Sequence, residues 1–170
     1  KLPRGRGFGE PLSLMLDIPA DASIIAIMRG GIGKMLVASN AGHGMIIDMQ
    51  STIAQTRSGK QVLNLGAGGK AVICVPAQGD MVAVVGQNRR LLVFALSELP
   101  EMTRGKGVIL QRYRDGELAD IKVFESEAGL TWQMGGGRTR TETDLLTWTG
   151  KRGSAGKLPP TGFPRPARFT

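Results

Sequence analysis

The sequence predicts an all-β, propeller-like chain of about three four-stranded units. Three observations lead there. A hairpin-like pattern recurs at intervals of 46 and 48 residues. An Arg-Gly motif recurs at nearly the same period. Short runs rich in Val, Ile, Leu and Thr alternate with Gly, Asn, Asp and Pro turns. A period near 48 suits blades of about four strands each.

The hairpin pattern begins at Lys34, Asp80 and Ala128. Its turns are Asn-Ala-Gly-His-Gly at 40–44, Gly-Gln-Asn-Arg-Arg at 86–90 and Met-Gly-Gly-Gly-Arg at 134–138. Gly42, Gly44 and the glycines at 135–137 permit the positive φ that tight hairpins use. The second motif is anchored at Arg4, Arg57, Arg104 and Arg152, with spacings of 53, 47 and 48.

Strands are expected in the first unit at Glu10–Leu16, Ser23–Met28, Lys34–Ser39 and Met45–Met49. The second unit offers Gln61–Leu65, Lys70–Val75, Met81–Val85 and Arg90–Leu96. The third offers Val108–Tyr113, Asp120–Glu125, Leu130–Met134 and Thr139–Leu145. Each is rich in strand formers and ends at a turn signal. Residues 48–55 and 94–102 can hold short helical turns, and Pro100 stops the second. The organisation is therefore a partial propeller over 1–150 and a basic Pro/Gly-rich tail over 151–170. The prolines at 159, 160, 164 and 166 exclude a central strand there and predict a segment extended on the surface or disordered.

The 170 residues suit one domain, and 41% hydrophobic side chains suffice for a core. One cysteine, Cys74, excludes an internal disulfide, and one histidine, His43, excludes a multi-His metal centre. No apolar run approaches the roughly 18 residues of a membrane helix. The chain opens on Lys1 without an initiator Met or a signal peptide, so a piece of a larger protein in a reducing compartment is expected. Lys plus Arg number 22 against 14 Asp plus Glu, a net charge of +8. The basicity lies at the ends: +3 over 1–60, +1 over 61–100, −1 over 101–150 and +5 over 151–170. Such a charge points to an anionic partner, with plain solubility as the competing explanation.

No catalytic constellation appears. Gly66-Ala-Gly-Gly-Lys70 resembles a phosphate loop, but Ala71 stands where Ser or Thr would hold Mg²⁺, so a turn is the better reading. His43 lacks a partner nucleophile and reads as a solvent-facing turn residue. Cys74 alternates in an apolar strand and reads as a small core residue. Tyr113 reads as an edge residue ending a strand. The acidic residues from Asp115 to Glu127 show no paired-carboxylate or metal-loop spacing.

The basic loops differ. Arg and Lys beside glycines place cations next to backbone N–H groups that can approach an oxyanion closely. One such loop per blade gives a rim of basic groups suited to phosphates, reading backbone and deformability instead of base edges. The competing reading is a set of polar inter-blade turns.

Four stretches carry a family resemblance: Leu2-Pro-Arg-Gly-Arg-Gly-Phe-Gly-Glu-Pro-Leu12, Leu36-Val-Ala-Ser-Asn-Ala-Gly-His-Gly44, Arg57-Ser-Gly-Lys60 and Leu99-Pro-Glu-Met-Thr-Arg-Gly-Lys-Gly107. In this order they resemble the C-terminal domain of the A subunit of bacterial DNA topoisomerase IV, which is related to that of DNA gyrase. The end, Gly162-Phe-Pro-Arg165, resembles that of some alphaproteobacterial versions. The resemblance implies a β-pinwheel, a propeller-like disc whose blades exchange strands with their neighbours. Family discs have five or six blades, so about three here imply a partial disc or open arc. The resemblance also implies a basic outer edge that contacts duplex DNA and modulates which DNA geometries the enzyme relaxes or decatenates. The catalytic tyrosine would lie in the N-terminal part of the same polypeptide, and ATP on the B subunit. This chain would then be non-catalytic and cofactor-free, with ATP and Mg²⁺ serving the full enzyme in the bacterial cytoplasm at the nucleoid. Its partners would be DNA, the N-terminal part of its own polypeptide, and the B subunit.

The gyrase box, Gln-Arg-Arg-Gly-Gly-Lys-Gly, is absent in strict form. Arg4-Gly5 and Arg104-Gly105 keep its central pair, behind Leu2-Pro3 and Met102-Thr103. That favours the topoisomerase IV side of the family over gyrase-like wrapping. The candidate DNA contacts from the Arg-Gly loops are Arg4, Arg6, Arg57, Lys60, Arg104, Lys106, Lys151 and Arg152. Those from the hairpins are Arg89, Arg90, Arg138 and Arg140, on a rim that need not be the same. The alternative function is a protein-interaction propeller docking its basic edge on an acidic partner or subunit surface, with the −1 third repeat as its support.

Overall fold

The computed structural model describes residues 15–28 and 32–170. Among them, nine strands form antiparallel sheets: β1 (Lys34–Ser39), β2 (His43–Asp48), β3 (Ala71–Pro76), β4 (Met81–Gly86), β5 (Leu91–Ala95), β6 (Val108–Ile109), β7 (Leu118–Phe124), β8 (Leu130–Gln133) and β9 (Thr139–Glu142). The remaining elements include short 3₁₀ turns, and those at Gln50–Thr52 and Leu96–Glu98 fall where the sequence allows them. The fold is the all-β, propeller-like one expected.

Each blade is built on a hairpin and completed by strands from later repeats. The first sheet has the order β3-β1-β2-β6, the second β5-β4-β7, and β8 pairs β9 in the third. Thus β3 leaves the second repeat for β1, β6 leaves the third for β2, and β7 leaves the third for β4. This is the strand exchange that the resemblance implies. The exchange is itself periodic. His43 pairs Ile109 in the first blade, and Leu91 pairs Lys157 in the second. Ile46 bridges Glu101, and Val93 bridges Thr149. The second blade therefore gains its fourth edge from 149–157, and the third gains an edge when the Gln133 N–H donates to the Phe169 carbonyl at 3.0 Å. The sheets do not close into a ring among the described residues.

Sheet two is central. In β4, Val82 and Val84 face one core, with Leu36, Ile46, Leu92 and Phe94. The alternate residues Ala83 and Val85 face a second core, with Leu91, Val93, Leu130 and Trp132. A strand buried on both faces reads as continuous apolar sequence, as Met-Val-Ala-Val-Val does. A smaller cluster of Met35, Met45 and Ile47 packs with Cys74 on the outer side of the first blade.

Some expected strands do not form. Glu10–Leu16 lies mostly outside the described residues, and Met15 and Leu16 carry no strand. Ser23–Met28 carries no strand despite its isoleucines, and β1 is flanked by β2 and β3 instead. Gln61–Leu65 makes one bridge, Leu63 to Gly105. Val108–Tyr113 stays in the ladder only for Val108 and Ile109. Beyond them Gln111 turns inward, and its Nε2 donates to the carbonyls of Arg90 and Ala155 at 2.9 Å each.

The last twenty residues are integrated. Phe163, Ala167 and Phe169 are buried in the second core, and Phe163 packs on Trp132 and Phe169 at centroid distances of 5.4 and 5.6 Å. Proline excludes this segment from a ladder but not from lending aromatic rings to a core.

Candidate nucleic-acid interface

The exchange that completes the first blade also gathers cations. Where β6 joins β2, a surface groove of about 450 Å³ is lined by His43, Lys106, Arg112 and Arg152, with Gly107 and Gly153 in its wall. No carboxylate is among its described lining residues. Lys106 precedes β6, Arg112 follows it, and Arg152 arrives from 46 residues beyond Lys106.

Arg152 is held in place by three bonds. Its backbone N–H donates to Glu98 Oε2 at 3.1 Å, Nε to the Glu98 carbonyl at 3.1 Å, and Nη1 to the Ile109 carbonyl at 2.6 Å. Its guanidinium thus binds carbonyls and keeps its full charge. Arg104 is likewise steered by neutral groups: Nε donates to Asn64 Oδ1 at 3.3 Å and Nη2 to Gln61 Oε1 at 3.0 Å. These bonds set the Arg104 loop against the segment following Arg57 and Lys60. Lys60 donates to the Ser51 carbonyl at 2.6 Å.

Gly107 shapes this edge. Its φ is +78°, and a side chain there would run into the Gly44 carbonyl. Only glycine lets the Lys106 loop lie this close to the first hairpin. His43, the first residue of β2, is half-buried in the groove wall, not a free turn residue. Burial, then the neighbouring Lys106 charge, lowers its pKa below the usual histidine value.

The hairpin cations form a second group. Arg89 Nη1 and Nη2 point to the carbonyls of Pro164 and Phe163 at 3.4 and 3.5 Å. Arg140 Nη1 donates to the Thr161 carbonyl at 2.8 Å. The same side chain pairs Glu142 at 3.1 Å and stacks over Trp132 with its Cζ 5.6 Å from the ring centroid. Arg90, Arg138 and Lys151 are exposed. Arg57 adjoins the first loop, its carbonyl accepting from Asp17 N–H at 3.3 Å. Arg4 and Arg6 lie outside the described residues.

Arg112 is a cation that the sequence does not single out. It stands outside the repeated Arg-Gly motif, and nothing in its spacing marks it. Two residues excluded from chemistry are placed clearly. Cys74 is half-buried, and burial pushes its thiol pKa up. Tyr113 is not at a sheet edge: it packs against the first core, its hydroxyl is buried without a partner, and burial raises its pKa strongly. Among the described residues no cluster of His, Cys, Asp or Glu could hold a metal ion, and no helix is long and apolar enough to cross a membrane.

Known proteins resemble this chain in sequence and in fold. Residues 80–119 match the family model of the DNA gyrase C-terminal domain, a β-propeller. The chain is 41% identical to the A subunit of DNA topoisomerase 4 from Rickettsia bellii, over 99% of its own length and 23% of that protein. It is 44% identical to the corresponding protein of Caulobacter vibrioides, over 99% of the chain and 22% of the relative. The chain thus spans under a quarter of the relatives it matches. Among solved structures, the Escherichia coli ParC C-terminal domain superposes with a TM-score of 0.80 at 29% identity, covering 94% of this chain and 69% of that one. A second C-terminal domain of DNA topoisomerase IV shares the fold, with a TM-score of 0.70 at 18% identity over 88% of this chain and 49% of that one.

Proposed function

We propose that this chain, which resembles the C-terminal domain of the A subunit of bacterial DNA topoisomerase IV, is a non-catalytic part of such an enzyme that contacts duplex DNA through its phosphates. The observation that carries the reading is the groove where Lys106, Arg112 and Arg152 meet, with no carboxylate among its described lining residues. Three cations from two segments, one of them fixed by carbonyl bonds, present charge with little reorganisation on binding. Such contacts position a duplex and carry little sequence information.

By holding DNA at its edge, the domain would modulate relaxation and decatenation by the full enzyme. Cleavage would lie in the N-terminal part of the same polypeptide, with ATP and Mg²⁺ serving other parts of the enzyme and none required here. The protein partners would be that N-terminal part and the B subunit, in the bacterial cytoplasm at the nucleoid.

The test is duplex binding by fluorescence anisotropy between about 50 and 200 mM salt, where counterion release is plainest. We expect a steep log–log dependence. It should flatten by about 0.9 for each phosphate that is no longer neutralised in Lys106→Ala or Arg152→Ala. No binding at the lowest salt overturns the reading and favours an acidic protein surface as the partner of this edge.

A further inference from the structure

The C-terminal segment does more than fill a core. Its buried side chains are Phe163, Ala167 and Phe169, and between them Arg165 and Arg168 are exposed. Phe169 is pinned on both sides of its backbone. Its N–H donates to Asp120 Oδ2 at 2.8 Å, and its carbonyl accepts from Gln133 at 3.0 Å. The carbonyls of Thr161, Phe163 and Pro164 accept from Arg140 and Arg89, the first at the surface and the other two partly buried. These two arginines are 51 residues apart and sit on different hairpins. Both bond to one stretch, 161–164, whose end Cα atoms lie at most about 11 Å apart.

We infer that residues 161–170 form a docked strap that assembles a second phosphate-contact site, built from Arg89 and Arg140 on the hairpins and Arg165 and Arg168 on the strap itself. The inference rests on the reading that the chain binds duplex DNA, but it concerns a surface separate from the Lys106 groove. Carbonyl acceptors orient a guanidinium without neutralising it, and each arginine retains further N–H donors for an oxyanion. Glu142 is the carboxylate paired with Arg140, and Asp120 lies beneath the strap, bonded to its backbone. Four arginines against two carboxylates, Glu142 paired with Arg140 and Asp120 acting on Arg168, leave the site cationic. The strap is therefore a positioning element: its rings anchor in the blade and its carbonyls set the arginines.

The test uses the full chain and the same salt series on duplex DNA. Arg165→Ala with Arg168→Ala changes exposed side chains only, so folding is retained and the log–log slope should fall by about 2. Arg89→Lys keeps the charge but cannot fork to two carbonyls, so affinity at low salt should drop while thermal stability stays the same. Phe169→Ala should loosen the strap and reproduce the reduced slope. Unchanged slope and affinity in the first two variants, alongside a reduced slope in Lys106→Ala with Arg152→Ala, overturn the strap site and leave the groove standing. The opposite pattern overturns the groove and supports the strap. Absence of binding by the unaltered chain overturns both.

Discussion

The ring of Tyr113 stands where a side chain on Gly86 would have to be, its Cε1 2.5 Å from that point. Its other edge, Cε2, lies 2.6 Å from the same point on Gly42. Tyr113 is thus wedged between the first hairpin turn and the end of β4, locking the first blade to the second. Gly86→Ala should overpack this joint and cost about 1–3 kcal/mol, read as a lower urea midpoint at unchanged m. Tyr113→Phe should be neutral or slightly stabilising, because the hydroxyl it removes is buried without a partner. A large destabilisation in Tyr113→Phe would sink this account of the joint.

Most strands were legible because each carries its own signal. Lys34–Ser39 matches β1 at both ends, and the expected Met81–Val85 and Leu130–Met134 match β4 and β8 to within a residue. Their apolar runs stop at Asn, Gly and Asp turns, which local chemistry fixes. Pairing was not legible in the same way. Nothing in β6 or β7 says that it joins the hairpin of an earlier repeat; only the family resemblance implies exchange between blades. Ser23–Met28 shows that strand propensity alone does not make a strand: its neighbours in the chain supply no pairing partner for it, and β1 pairs β2 and β3 instead. Of the site, the Arg-Gly loops were visible as repeats, whereas Arg112 and the strap carbonyls became visible only through exchange and burial.

Gly107 allows a test that leaves the charge of the groove untouched. With φ at +78° and the Gly44 carbonyl in its way, Gly107→Ala should cost about 1–3 kcal/mol locally and push the Lys106 loop outward. Duplex affinity at low salt should then fall although every cation remains. Gly59 also has a positive φ, +81°, but no atom lies within 4 Å of a side chain there. Gly59→Ala should therefore cost less and serve as the strain control. Equal affinities for the two variants would mean that the close approach at Gly107 does not set the groove.

His43 gives the domain a pH dependence of known sign. Burial and the Lys106 charge lower its folded pKa, with Arg112 and Arg152 lining the same groove. The unfolded chain therefore takes up the proton first, near the ordinary value of about 6.5. Stability from this group is fully present above that pH and is lost as pH falls toward the folded pKa. Denaturant midpoints measured from about pH 8 down to pH 5 should fall through this window, and His43→Gln should remove that part of the fall. A bound phosphate acts in the opposite direction, so duplex binding should raise the His43 pKa, visible as a shift of its ring resonance in an NMR titration.

The C-terminal segment supplies the last prediction, on stability. Phe169 is 1% exposed and packs edge-on to Phe163, which packs on Trp132. Leu158, eleven residues earlier, is 65% exposed. Composition alone ranks the two alike, as apolar residues in a Pro-rich tail. Burial separates them. Phe169→Ala leaves a cavity beside Trp132 and should cost about 3–5 kcal/mol. Leu158→Ala should change stability by less than about 0.5 kcal/mol. Because Trp132 shares this core with Phe169 and contacts it through Phe163, Phe169→Ala should also red-shift tryptophan emission as water gains access, and Leu158→Ala should not. Matching midpoints for the two variants would mean that the strap contributes nothing to the third blade.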